Sequence, residues 1–110
     1  MQTDRVYTSA WFNKLNMRIE DIRKEIDKVD SEIIRQIARR QELAGRIARF
    51  KFAQGLPIHD EKRTKSVFNT IFNRSVEAKI DPVAVQKIFE ILVAMSEERQ
   101  RECQGEGNLP

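Results

Sequence analysis

The residue types able to do covalent chemistry are scarce in this chain. His59 is the only histidine and Cys103 the only cysteine. They form no triad-like set. A metal site would have to rest on His59 and carboxylates, and no partner stands at ligand spacing from it. His59 therefore reads as a surface loop histidine, and Cys103 as packing on an inner helix face. What the chain does offer is a set of hydrogen-bond donors at helical spacing. When the segment after Met17 is projected at about 100° per residue, Ile22, Ile26, Val29 and Ile33 share a narrow sector, and Arg40 and Lys51 fall inside it. Arg35, Arg39 and Arg46 project to the opposite side, and Arg23 lies at the edge of the stripe. Farther on, Ser96 and Gln100 continue a stripe begun by Val85, Phe89 and Leu92; four residues apart, they share one face. Thr64 lies in the inward sector of the segment between, with Arg63 on its flank. A buried cation without an anion is costly. Several inward donors, with only Asp30 well placed to neutralise one of them and Asp27 less so, describe a pocket for an anion. Any one of these residues alone would read as a snorkelling side chain at a helix end.

Three helices must hold these groups. From about Met17 to Gln54 there is no proline, and Gly45 is the single internal glycine. Apolar residues recur in three- and four-residue steps at Ile19, Ile22, Ile26, Val29, Ile33, Ile37, Ala44 and Ile47. That helix would be about 55 Å long, against a radius of gyration of about 13 Å for a domain of this size. One chain cannot cover such a stripe, so the pattern predicts an oligomer. Gly55 suits the position just past the helix end, with Pro57 following. Asp60 caps a second helix carrying Val67, Phe68, Ile71, Phe72 and Ser75 inward and ending near Ala78. Asp81-Pro82 starts a third, carrying Val85, Ile88, Phe89, Leu92 and Met95. The expected organisation is an N-terminal extension over 1–16, where Tyr7, Trp11 and Phe12 could pack on the body, a helical domain over 17–103, and a frayed tail over 104–110.

Composition sets the outer bounds. The chain has 110 residues, 40% hydrophobic and 34% charged, with 4 Gly and 3 Pro. That suits one all-α domain with few turns. The net charge of +3 is mild and compatible with a small anionic ligand. A nucleic-acid role is disfavoured: Lys28, Arg35, Arg39, Arg46 and Arg49 on the solvent face are interleaved with Glu32 and Glu42, and no aromatic residues stand ready to stack on bases. No apolar run is long enough for a membrane span, and the first sixteen residues lack the features of a signal peptide. A cytoplasmic protein is expected.

The order of these pieces resembles the chorismate mutases of the all-helical class. The opening Ile22-Arg23-Lys24-Glu25-Ile26-Asp27-Lys28-Val29-Asp30, the element Ile37-Ala38-Arg39-Arg40-Gln41-Glu42-Leu43-Ala44, Lys51 eleven residues after Arg40, the joint Gly55-Leu56-Pro57-Ile58-His59-Asp60-Glu61-Lys62-Arg63 and the pair Ser96 and Gln100 follow one another at that family's spacing. The resemblance covers roughly residues 18 to 102. It implies an intertwined homodimer of three-helix chains, with the substrate chorismate bound without a cofactor or metal. Arg23 would reach into the partner subunit's pocket. Arg40 would bind a carboxylate, and Arg63 with Ser96 would help hold the carboxylates. Lys51 and Gln100 would donate to the ether oxygen, and the backbone at Asp60 would contact the ring hydroxyl. Glu42 would support the pocket from outside. The family's Glu after the loop Arg is here Thr64, whose hydroxyl is a shorter, neutral acceptor.

The implied reaction is a unimolecular rearrangement to prephenate, serving phenylalanine or tyrosine biosynthesis. It needs no nucleophile and no proton transfer, in keeping with the sparse chemistry of the chain. Rival readings are an isochorismate pyruvate-lyase on the same scaffold, which the Thr64 substitution would suit and the Asp60 loop would not, and a non-catalytic helical homologue.

Overall fold

The computed structural model describes the backbone of residues 9–105 and the side chains of residues 18–105. The side chains of Tyr7, Trp11 and Phe12 lie outside that range. Three helices run in chain order: α1 over Ser9–Gln54, α2 over Glu61–Glu77 and α3 over Pro82–Gly105. The chain divides between Gln36 and Ile37 into two units.

The first unit is helical from Ser9, eight residues before the expected start at Met17. The segment SAWFNKLN contains no proline or glycine, so nothing in it opposes helix, and apolar periodicity is not required for helix to continue. Residues 9–36 of α1 are about 42 Å long. Its polar face carries ion pairs three residues apart: Arg23 with Glu20 at 2.8 Å, Lys28 with Glu25 at 3.2 Å, and Arg35 with Glu32. Glu32 also accepts from Gln36 at 2.6 Å, and these donors hold its carboxyl below its ordinary pKa. The apolar stripe Ile19, Ile22, Ile26, Val29 and Ile33 is exposed along this unit.

The second unit gathers the rest of α1 with α2 and α3. Each joint is closed by identifiable chemistry. Gly55 adopts φ 68°, Leu56 N–H donates to the Lys51 carbonyl at 2.8 Å and Gly55 N–H to that of Phe52 at 3.2 Å. This is the glycine-terminated helix end expected there. Asp60 caps α2 through its side chain, which accepts from Arg63 N–H at 3.0 Å. At the far end of α2, Ile80 N–H reaches the Ser75 carbonyl and Lys79 N–H that of Val76. The geometry matches the α1 terminus, but the left-handed residue is Lys79, φ 61°. Asp81 accepts from Val83 N–H at 3.0 Å and opens α3, with Pro82 as its first residue.

Packing in this unit uses small residues. Ala44, Gly45 and Ala48 are buried on α1. A Cβ added at Gly45 would sit 3.1 Å from Cys103 Sγ, so the glycine allows α3 to approach. Gln104 donates to the Ala48 carbonyl at 3.0 Å. That bond belongs to the last turn of α3, which runs on to Gly105 rather than fraying from Gln104. α2 packs on α3; Val67, Phe68 and Ile71 of α2 and Val85 and Phe89 of α3 are half-buried, and Leu92 is buried. Ser75 is buried and returns its hydroxyl proton to the Ile71 carbonyl at 2.7 Å. Phe72, Ile88 and Met95, expected inside, are exposed. Two short helices and the end of a third enclose too narrow a space to take every apolar residue of each stripe, and among the described residues no large side chain is fully buried.

Candidate functional site

A cavity of about 300 Å³ opens within the second unit. α1 contributes Arg40, Leu43, Ala44, Ile47 and Lys51; the joint and α2 contribute Ile58, Asp60, Arg63, Thr64 and Val67; α3 contributes Val93, Ser96, Glu97 and Gln100. Of the apolar members Ala44 is buried, Ile58, Val67 and Val93 are half-buried, and Leu43 and Ile47 are exposed.

Arg40 is half-buried. Its Nη1 donates to the Leu92 carbonyl at 3.3 Å, and the guanidinium lies over the Phe89 ring, 5.9 Å from the centroid. No carboxylate pairs with it among the described residues. Burial, and then the nearby charge of Arg63, push its pKa below the ordinary arginine value. An anion placed between Arg40 and Arg63 would relieve both effects.

Lys51 stands one helical segment farther along α1. Its ammonium donates to the Ile58 carbonyl at 2.6 Å and to Gln100 Oε1 at 2.9 Å. Gln100 is only 5% exposed. Because Lys51 can only donate, the amide oxygen must face it, and the amide nitrogen is turned the other way. That nitrogen donates to Ser96 Oγ at 3.3 Å, a long bond that a better acceptor can displace. The cavity thus holds an ammonium and an oriented amide N–H₂ side by side, with two guanidinium groups beyond them.

The structure brings Arg40, Lys51, Asp60, Arg63, Thr64, Ser96 and Gln100 around this one cavity. Arg23 does not line it; it is exposed on the first unit and paired with Glu20. Glu42 pairs with Arg39 at 2.5 Å on the exposed face of α1. Asp27 and Asp30 are exposed as well.

Residues 22–101 match the family described as Chorismate mutase type II. The chain belongs to that family. Membership among the type II chorismate mutases places it with the isomerases. Its relatives include a chorismate mutase of Methanocaldococcus jannaschii, 34% identical over 85 residues that span 77% of this chain and 86% of that one. A bifunctional chorismate mutase/prephenate dehydratase of Aquifex aeolicus is 39% identical over 59 residues, 54% of this chain and 16% of the longer protein. Among solved structures, a conserved hypothetical protein from Pyrococcus furiosus superposes with a TM-score of 0.58 at 32% identity, covering 76% of this chain and 95% of that one.

Sequence reasoning missed two polar groups of this cavity. One is the Ile58 carbonyl, which no side-chain pattern could reveal. The other is Glu97, whose Oε2 meets His59 Nδ1 at 2.8 Å, while His59 Nε2 meets Glu61 at 3.0 Å. The two carboxylates, Glu97 first, raise the His59 pKa, and His59 in turn lowers that of Glu61. A signal for Glu97 was available: it stands three residues before Gln100 and four after Val93, on the face they share. Among the described residues no cluster of His, Cys, Asp and Glu is arranged to hold a metal ion, and no helix is long and apolar enough to cross a membrane.

Proposed function

We propose that this chain catalyses the intramolecular rearrangement of chorismate to prephenate, a step of phenylalanine and tyrosine biosynthesis. The observation that carries the reading is the joint enclosure of Arg40, Arg63, Lys51 and an amide whose N–H₂ is oriented by Lys51. Chorismate is a dianion. Arg40 binds one carboxylate, and Arg63 with Ser96 helps hold the carboxylates, so that the compact conformer, with the two carbon termini close together, is selected from solution. As the ether C–O bond breaks and the C–C bond forms, negative charge builds on the ether oxygen. Lys51 and Gln100 donate to that atom. Preorganised donors of this kind contribute about 3–4 kcal/mol each to transition-state stabilisation. No proton changes hands and no cofactor takes part. The backbone at Asp60 contacts the ring hydroxyl, with Thr64 beside it.

The active form in this reading is a homodimer. The exposed stripe from Ile19 to Ile33 recurs at helical spacing and has no cover of its own, and a second copy would bury it at about 25 cal/mol per Å² of apolar surface. Arg23 stands beside that stripe and is donated to the partner subunit's pocket.

The test is the loss of chorismate absorbance on addition of purified protein, with the product identified. Prephenate formation that falls at least 100-fold in Arg40→Ala is the expected result. Salicylate and pyruvate as products would instead indicate lyase chemistry, and the absence of both turnover and binding of chorismate would refute the proposal.

A further inference from the structure

Glu97 is out of character with its surroundings. A cavity lined by Arg40, Lys51 and Arg63 also contains its carboxylate, whose side chain is 22% exposed. If the role of Glu97 were to neutralise those cations, it would pair with one of them. Among the described residues it pairs with none: its sole ion-pair partner is His59, reached through Oε2 alone. His59 holds the carboxylate at the α2 end of the cavity and keeps it from collapsing onto the cations. Oε1 is left with acceptor capacity on a side chain that lines the cavity. The other carboxylate of the lining, Asp60, is exposed and spends its Oδ1 on Arg63 N–H as the helix cap.

A carboxylate in an anion pocket repels any ligand that brings negative charge to it. It favours a ligand that brings an O–H there. Chorismate has one such group, its ring hydroxyl. On the reading of the site as a chorismate pocket, we infer that Glu97, oriented by His59, accepts the hydrogen bond of the ring hydroxyl and so determines which dianions the enzyme takes. Glu97 and the hydroxyl-contacting joint at Asp60 are bridged by His59, the residue just before Asp60, so donor and acceptor requirements of the hydroxyl meet at one end of the cavity. Thr64 lines the same cavity and is the rival acceptor.

The experiment compares kcat/KM for chorismate and for its analogue with the ring hydroxyl replaced by hydrogen, in the wild type, Glu97→Ala and Thr64→Val. A hydrogen bond to a charged acceptor makes the hydroxyl worth about tenfold or more. The wild type is expected to lose that factor on the analogue, Thr64→Val to lose it likewise, and Glu97→Ala to treat the two compounds alike to within roughly twofold. Equal discrimination by wild type and Glu97→Ala would overturn the assignment, and so would discrimination that vanishes in Thr64→Val but survives in Glu97→Ala. A purely structural staple between His59 and Glu97 would depress both substrates together, leaving discrimination intact, and so also overturns it. Wild-type turnover of chorismate in the same assay separates these outcomes from a failure of the chorismate reading itself, which would appear as no turnover of either compound and would remove the inference with it.

Discussion

Replacing Gln100 by Glu exchanges one nitrogen for an oxygen at the centre of the cavity and should convert a pH-independent enzyme into an acid-dependent one. Glutamine donates through its N–H₂ at all ordinary pH, and Lys51 at 2.9 Å keeps that group turned away from itself. An ionised Glu at the same place has no hydrogen to give. Losing one such donor costs about 3–4 kcal/mol, or roughly 100- to 1,000-fold in kcat. Activity should return as the carboxyl gains its proton. Burial at 5% exposure favours the neutral acid, while the Lys51 ammonium favours the ion. With these opposed, an ordinary value of about 4.3 is a fair midpoint. The protonated fraction is then about one in a thousand at pH 7.3 and about one in eleven at pH 5.3. Because the ionised variant keeps about a hundredth to a thousandth of the activity, chorismate consumption should show kcat of Gln100→Glu rising roughly 10- to 50-fold between about pH 7.3 and pH 5.3, while the wild type changes little. The isosteric change leaves the packing around residue 100 unaltered, so the melting temperature serves as a control. A variant profile as flat as that of the wild type would refute the role of the amide as donor to the ether oxygen.

Other consequences are open to direct measurement. Citrate or sulfate should raise the melting temperature by filling the cation pair; at 100 times its dissociation constant an anion adds about 2.7 kcal/mol. Arg40→Ala should abolish that increment without lowering the melting temperature of the free protein, because Arg40 is crowded by burial and by Arg63. His59 has a raised pKa, so its bonds to Glu97 and Glu61 stabilise the fold fully below about pH 6.5, the ordinary histidine value, and less as pH rises through the folded value. Melts of wild type and His59→Ala should therefore differ at pH 6 and converge in alkaline buffer. Equal spacing at both pH values would argue against a titrating clamp. Lys79→Gly relieves a left-handed backbone at a cost in unfolded-chain entropy and should stabilise by about 0.5–1 kcal/mol in urea titrations; a destabilised variant would mean the Lys79 side chain has a role of its own.

The joints of the fold were legible because each depends on a single residue with a single local job. Gly55 takes the left-handed turn, Asp60 caps, and Asp81-Pro82 starts α3, and none of these needs a distant partner. Arg40, Lys51, Ser96 and Gln100 were legible for another reason: each interrupts an apolar stripe, and a regular helix converts that interruption into a direction. The helix start was misjudged because the apolar pattern begins at Ile19 whereas the backbone needs only an absence of breakers. The end of α3 was misjudged because it is fixed by Gln104 reaching across 56 positions to Ala48. Glu97 was overlooked on similar grounds. A glutamate on a charge-rich helix ordinarily faces water, whereas this one shares the face of Val93 and Gln100 and is held there by a histidine 38 positions away.

Lys51 has a consequence for anyone wishing to modify this protein. Its carbonyl receives Leu56 N–H and its ammonium grips the Ile58 carbonyl, so backbone and side chain of one residue measure the same short span twice. A surface joint between two helices is ordinarily the natural place to graft a tag, a fluorophore or a guest domain. Here the joint acts as a gauge block: lengthening it by even one residue between Gly55 and Ile58 moves the carbonyl off the ammonium and frees Lys51 to swing. The permissive sites for engineering are the turn at Lys79 and Ile80, whose backbone bonds serve only the end of α2, and not the loop that faces the cavity.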